Sequence, residues 1–440
     1  MKNKSTKSTK KIRRLWVKTL KKRRIRARVL TSMPARKNRD KVFRVAGLCS
    51  VLLGFAVILF LFGNVLSQGI SILWRNEIRI VVDLKSELLS KQNIDESNFQ
   101  GLLLDSLRKV FPDANGRRDN INLMNLLSRD SAYILRNKIL ETPSPLPDEI
   151  TLWFPTSSTV DMYRKGKLST DSLSSSRGLN EKQLEWLETL SKRGDIKNKF
   201  NFSFFIKGDS REPETAGFLG AMIGSLWVIL SCLMLSLPLG VMSAIYLEEF
   251  AKQNLFTKTI EITLNNLAAV PSIIFGLLGL TLYIQLLGLP RSSAIAGGLT
   301  LALMIFPTIV IATRTALRTI PKSLRESVIA LGSTKMQLTL HHLLPLALPG
   351  IMTGTILGIA RAIGETAPLL MIGMVAFVVD LPEKIFSPAT AMPVQIFLWS
   401  DSAEPGFVER TSAGILVLLL VLAVANTLAA YIRRKFEHRW

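Results

Sequence analysis

The chain has 440 residues, a net charge of +23 and two cysteines. Residues 1–44 hold 19 Lys or Arg against one acid, Asp40. The basic excess is therefore a tail on a nearly balanced chain, which argues against a nucleic-acid-binding domain. Cys49 and Cys232 lie far apart within apolar runs and have no metal-ligand spacing, so they read as two packed thiols rather than a disulfide framework. The head is too long for a secretory leader, and no small-residue cleavage site follows the first apolar run.

A helix needs ~20 mostly apolar residues to cross a bilayer. Six such stretches are expected as spans: 45–67, 218–246, 263–287, 294–313, 350–379 and 412–432. The basic head should stay on the cytoplasmic side. An even number of spans then returns the C-terminus, "IRRKFEHRW", to that side. The segment 314–349 is also expected inside, with Arg314, Arg318, Lys322, Arg325 and Lys335, and the net acidic 380–411 outside. The loop near 248–262 has mixed charge and gives no orientation.

Residues 68–215 form a long polar insertion between the first two spans, and span parity places it outside. It reads as a small mixed α/β domain. "EIRIVVDLK" alternates, with Ile78, Ile80, Val82 and Leu84 on one side, and "NKFNFSFFIKG" does the same with Phe200, Phe202, Phe204 and Ile206. "NFQGLLLDSLRKVF" and "NEKQLEWLETLSKR" are expected helices, the second capped by Asn180. "TPSPLP" and "SSTVDMYRKGKLSTDSLSSSRG" read as loop or linker. Asn201-Phe202-Ser203 matches the glycosylation sequon, a pattern common by chance.

No Walker A motif, GxGxxG or nucleophile–base pair occurs, and a helix would point the adjacent His341 and His342 in different directions. The chain is not expected to be an enzyme by itself. The segment 321–349 has a helix-forming half, Gly332, and a second amphipathic half ending at Pro345. Leu324, Val328 and Leu331 fall on one face of the first half. Such a pair either docks in a partner's groove or lies on the membrane as an ordinary connector.

In this segment Gly332 follows Glu326 by six residues, and the proline of Leu344-Pro345 comes thirteen later. The pattern resembles the EAA loop of ABC importer permeases, although Ser327 and Val328 replace two alanines and His342 an aliphatic residue. "GSLWVILSCLMLSLPLGVMSAIYLEEFA", "NNLAAVPSIIFGLLGL" and "ARAIGETAPLLMIG" resemble the PstA and PstC families of phosphate-importer permeases, PstA chiefly through "RAIGETAPLL". The resemblance covers about 216–435. With the spans and insertion read above, it gives the expected fold class: an all-α polytopic membrane protein, six transmembrane helices of the ABC importer permease type, with a mixed α/β extracytoplasmic domain inserted between spans 1 and 2, the insertion and basic head lying outside the common permease core. It also implies a multi-pass protein of the bacterial inner (plasma) membrane with both termini cytoplasmic. The implied partners are membrane lipid, a second permease of PstC type, ABC ATPases of PstB type and a periplasmic phosphate-binding protein of PstS type, with no nucleic acid. ATP and Mg would be used by the ATPase, which receives the loop carrying Glu326, Gly332, Leu344 and Pro345, and this chain would bind no cofactor.

Arg361 and Glu365 are the charges that an apolar run does not explain. Each costs roughly 2.5–3.5 kcal/mol on insertion scales, so such residues pair and face a bundle interior or aqueous path. Four residues apart on a helix, they face the same side. Gly354, Gly358 and Gly364 should let neighbouring helices approach closely. Pro368 should break the helix just beyond the pair. The pair is either an ion pair that fixes packing or, as the resemblance implies, part of the phosphate pathway, with Arg361 meeting the anion and Glu365 positioning it. Pro271 should kink or interrupt the third span. The Ser272 hydroxyl either bonds back to its own helix or meets the passing anion. The rival readings are a permease for another oxyanion, such as sulfate or molybdate, and a non-transporting membrane sensor or scaffold.

Overall fold

The computed structural model describes residues 5–84, 97–114, 116–142, 147–168, 178–375 and 377–436, with 5–31, 35 and 436 described by backbone alone. The rest of "TPSPLP", the Ser-rich end of the linker and the last four residues of "IRRKFEHRW" lie outside the described residues. The chain divides into two units, Met1–Asn64 and Val65–Trp440. The first is helical: α1 runs Ser5–Ile70 and contains the first apolar run.

In the second unit, α11 (Ala294–Arg318) is the central helix. Two thirds of its apolar stretch is buried, against a third or less in the other long apolar helices. Small residues make this possible. A Cβ on Gly298 would lie 2.3 Å from Ser231 Cβ on α8 (Leu219–Phe250), and one on Gly354 would lie 2.2 Å from Ala312 Cβ. Gly354 belongs to α13 (Lys335–Gly364). Packing that tight replaces a hydrophobic driving force, which helices in lipid lack. The last apolar helix is α16 (Gly406–Phe436), which follows the short α15 (Met392–Ser400).

The third expected span is not one helix. α9 (Leu255–Ala268) and α10 (Ser272–Leu286) meet at 104°. Pro271 stands at the junction with φ −56° and ψ 136°, and it has no N–H to continue a helical ladder. Among the described residues, five helices are therefore long and apolar enough to cross a membrane, or six if the bent pair counts as one span.

The fifth expected span, 350–379, is displaced toward the N-terminus. α13 begins at Lys335 and ends at Gly364, and the apolar run beyond it is broken. Glu365 is extended, α14 is only Ala367–Met371, and Gly373 takes φ +87°. Pro345 does not end the amphipathic half. It lies in the first turn that follows a π-helical turn, Leu338–Leu343, where a residue without an N–H is tolerated.

Residues 74–200 contain a three-stranded antiparallel sheet in the order β2-β1-β3, formed by β1 (Trp74–Asp83), β2 (Glu149–Pro155) and β3 (Ile196–Phe200). Ile78 pairs with Phe154 on one side and Ile196 on the other. Ile78, Ile80, Val82 and Leu84 are buried as the alternation requires, under α2 (Phe99–Val110) and α6 (Glu181–Arg193). Between these come α3 (Arg117–Met124), α4 (Ser131–Glu141) and α5 (Ser158–Arg164). Asn180 caps α6 in a reciprocal box with Gln183.

Two sequence expectations fail here. The stretch taken as linker contains α5, held because Asp161 accepts from the Asn76 backbone at 2.9 Å and its side chain at 2.8 Å. The phenylalanine alternation stops at Phe200. Ser203–Ile206 turns into a short helix, α7, because Phe204 alone goes inward, stacked on Phe218 at 5.9 Å. Asn201 is fully buried and donates to the Ile72 carbonyl at 3.1 Å, so its amide is not presented for glycosylation.

Candidate functional site

Arg361 is in the last turn of α13, and Glu365 is the extended residue that follows it. Arg361 Nε and Glu365 Oε1 are 3.2 Å apart, so the pair forms across the helix end rather than along a continuing helix. Pro368 does not break that helix, which has already ended. It stands in the first turn of α14, where a missing N–H costs nothing.

The pair is not packed away. The Arg361 side chain is 42% exposed and that of Glu365 18%. Leu357, Arg361 and Gly364 form one uncovered stripe on α13. Gly354 and Gly358 meet Ala312 and Ile305 of α11 on the neighbouring face, as expected, whereas Gly364 has no atom within 4 Å of where a Cβ would stand. One edge of α13 is thus locked to the central helix, and another presents a cation and an anion.

Ser272 is the first residue of α10, half-buried beside exposed Pro271. Among the described residues its hydroxyl has no hydrogen-bond partner, so the expected bond back to its own helix is not made. α10 packs on α14, the element that follows Glu365: a Cβ on Gly276 would lie 2.8 Å from Pro368 Cα. The fold thereby links the 104° break to the end of α13.

The Glu326 segment forms a second site. α12 (Lys322–Ala330) packs Leu324 and Val328 against Leu338, Leu343 and Ala347. Leu331 does not share that face: it follows the helix and is 86% exposed. Gly332 turns the chain with φ +90°, a left-handed conformation that L side chains adopt poorly. Thr334 and Gln337 then cap the start of α13 reciprocally. Glu326 is exposed, as are Ile329, Leu331, Met336 and Leu340 around the turn. Leu344 is half-buried and Pro345 exposed, both inside α13.

A charge cluster that the sequence reading missed supports this turn. Arg314 bonds Glu248 at 3.2 Å and also bonds Glu261. Arg318 lies 3.0 Å from Glu248 and 3.4 Å from Glu261. Arg325, on α12, donates to Glu249 at 2.5 Å. The only sequence signal was the acids in the loop of mixed charge, which are the partners of the arginines read as orientation markers.

A third cluster joins the α/β segment to α16. Lys165 lies 2.5 Å from Asp161 and 3.1 Å from Glu409, and Lys167 is 2.8 Å from Glu409. Arg410 is buried and donates to the Ala216 carbonyl at 2.5 Å. Nearby Glu214 is 6% exposed, and burial pushes its carboxyl up to about 7 against weaker opposing contributions from Ser128 and Arg410.

A family model described as "Binding-protein-dependent transport system inner membrane component" matches residues 236–439. Another, "Domain of unknown function (DUF3333)", matches residues 31–173. The chain is 33% identical over 228 residues to phosphate transport system permease protein PstA 1 of Mycobacterium tuberculosis, covering 52% of this chain and 74% of that protein. It is 33% identical over 233 residues to PstA of Yersinia pestis, covering 51% and 76%. Among solved structures, the inward-facing MetNI methionine ABC transporter aligns at 18% identity with a TM-score of 0.39, covering 50% of this chain and 95% of that one.

Proposed function

The chain belongs to the PstA family of phosphate transport system permease proteins, and from that premise we propose that it forms the phosphate pathway of an ATP-driven bacterial importer. It is a multi-pass membrane protein, and the reading assigns it the membrane half of the work. The observation that carries it is the Arg361–Glu365 pair on the uncovered stripe of α13. Arginine's planar donor fork suits the oxygens of a compact tetrahedral anion. The adjacent carboxylate cancels its charge, so the anion would be held weakly enough to leave. Ser272, with a free hydroxyl at the bend packed on α14, would supply a further neutral donor.

Coupling follows from the second site. The exposed rim of Ile329, Leu331, Met336 and Leu340, with Glu326 beside it, suits a groove on a separate ATPase that uses ATP and Mg. Arg325 and the Arg314–Glu248–Glu261–Arg318 cluster would carry movement of α12 into α8 and α11. The wider assembly in this reading has a second permease of PstC type, ABC ATPases of PstB type and a binding protein of PstS type. Residues 1–44 form a cytoplasmic tail, 45–67 the first span, 68–215 an extracytoplasmic domain and 216–435 the permease core. Reporter fusions near 20, 335 and 440 should then read as cytoplasmic, and near 140 and 395 as outside.

The direct test is labelled phosphate uptake by vesicles carrying the assembled transporter, with and without this chain. Uptake should require the chain and ATP and should resist excess sulfate or molybdate. ATP-dependent uptake that sulfate or molybdate abolishes would reassign the substrate, and equal uptake without the chain would remove the reading.

A further inference from the structure

Five large apolar side chains form one exposed patch on the α/β segment: Trp74, Phe200, Phe202, Phe205 and Ile206. The four rings join across the sheet edge and α7, and Ile206 follows Phe205 at the end of α7. Trp74 meets Phe200 edge-on at 6.3 Å, Phe200 meets Phe202 at 4.7 Å, and Phe205 stacks on Phe200 at 6.4 Å. Phe202 is 63% exposed and Ile206 59%. A domain bathed only in water does not keep such a patch open without a partner.

The patch stands where two long apolar helices end. The Asn201 N–H donates to the Leu73 carbonyl at 2.8 Å, just past the end of α1. The Phe218 N–H donates to the Phe204 carbonyl at 2.7 Å and the Leu219 N–H to the Lys207 carbonyl at 3.2 Å, at the start of α8. α7 is thus stitched to the chain at the mouths of both helices. In the topology proposed above both helices cross the bilayer, which puts these ends where it gives way to water. Exposed Lys207 directly follows Ile206, whereas Lys197 and Lys199 alternate with Phe200 to the other face of β3, where Lys199 lies 3.3 Å from Glu77. Clustered aromatic rings with a lysine at their edge are the composition of a membrane-interface belt.

We propose that Trp74, Phe200, Phe202, Phe205 and Ile206 enter the headgroup–acyl boundary of the bilayer that the chain spans, with Lys207 at the lipid phosphates, and that this holds the α/β segment against the membrane. The anchor is independent of the transported anion. It makes the sheet edge a lipid contact and leaves the rest of the domain in water.

The test is depth measurement by spin labelling. In the full chain with Cys49→Ala and Cys232→Ala, a nitroxide is placed at Phe202→Cys or, separately, at Ile206→Cys, with Lys192→Cys as an exposed reference on α6. The chain is reconstituted, alone and with its partner subunits, in vesicles of phosphatidylethanolamine and phosphatidylglycerol. At both patch positions dissolved oxygen should relax the label several-fold more effectively than a water-soluble nickel chelate, with the order reversed at Lys192. Nickel dominance at the patch would overturn the proposal by placing the rings in water. Poor access for both reagents on assembly would overturn it by placing a protein there.

Discussion

Arg325 on α12 donates to Glu249 at the end of α8 at 2.5 Å and to the Leu317 carbonyl of α11 at 2.7 Å. One side chain therefore ties the short helix to two long ones. Charge-assisted bonds of this kind are worth about 1.5–3 kcal/mol each when their partners stay in place. Arg325→Ala should leave insertion and ATPase association within about twofold but cut phosphate uptake per ATP hydrolysed by about tenfold. Uptake and hydrolysis measured on the same vesicles check this. An unchanged ratio would show that α12 moves the bundle by another route.

Gly332 offers a sharper test of the turn. Its φ of +90° costs an L residue about 1–2 kcal/mol, and more for a β-branched one. Open space surrounds its Cβ direction, so the strain is conformational and not a clash. Gly332→Val should weaken copurification of the ATPase strongly, Gly332→Asn only mildly, and Glu326→Ala should weaken it without disturbing the turn. Equal effects of Val and Asn would mean that backbone conformation is not what the position supplies.

Period and polarity told most of the architecture. Ile78, Ile80 and Val82 alternate because one face of β1 is buried, and the helices over 99–110 and 181–193 announce themselves by apolar spacing and an Asn180 cap. What the sequence concealed was set by tertiary partners. Nothing local tells that Phe204 stacks on Phe218 and so bends the phenylalanine run into a helical turn. Pro271 announced an interruption of the apolar run 263–287 but not its 104°, and hydropathy cannot tell that α13 ends at Gly364 within a run still apolar to 379. The Arg361–Glu365 pair was legible because charge in an apolar run stands out. The Arg314–Glu248–Glu261 cluster was not, because its members read as ordinary loop charges until three helices bring them together.

Glu214 should make the junction with α16 sensitive to pH. Its carboxyl ordinarily titrates near 4.5, and in the folded chain burial raises it to about 7. The folded state thus holds a proton that the unfolded state has released between those values. Stability from this residue is greatest below pH 4.5, falls through 4.5 to 7, and is level above. The full swing is about 3 kcal/mol. Burial raises Asp209 and Glu212 as well, with the same sign. Glu214→Gln should raise the thermal midpoint in detergent at pH 8 relative to the parent chain and much less at pH 4.5. A difference between the two chains that does not vary with pH would remove Glu214 as the titrating group.

The Arg361–Glu365 pair decides between packing and passage. The Nε–Oε1 contact of 3.2 Å joins the last turn of α13 to the residue that follows it, and among the described residues neither side chain bonds another helix. Arg361→Ala and Glu365→Ala should therefore leave the complex assembled, with ATPase copurification within about twofold, and each should lower phosphate uptake by more than tenfold. Arg361→Lys keeps the charge but loses the planar fork, and it should also assemble and transport poorly. The double exchange Arg361→Glu with Glu365→Arg keeps the mutual attraction. It moves the guanidinium from the last turn of α13 to the extended residue beyond the helix end, which shifts the donor fork from the depth at which an anion would meet it. A pair that only fixes packing would be rescued by the exchange, and one that meets the anion would not. Near-normal uptake in the exchanged chain would leave a structural ion pair and return the pathway to other residues.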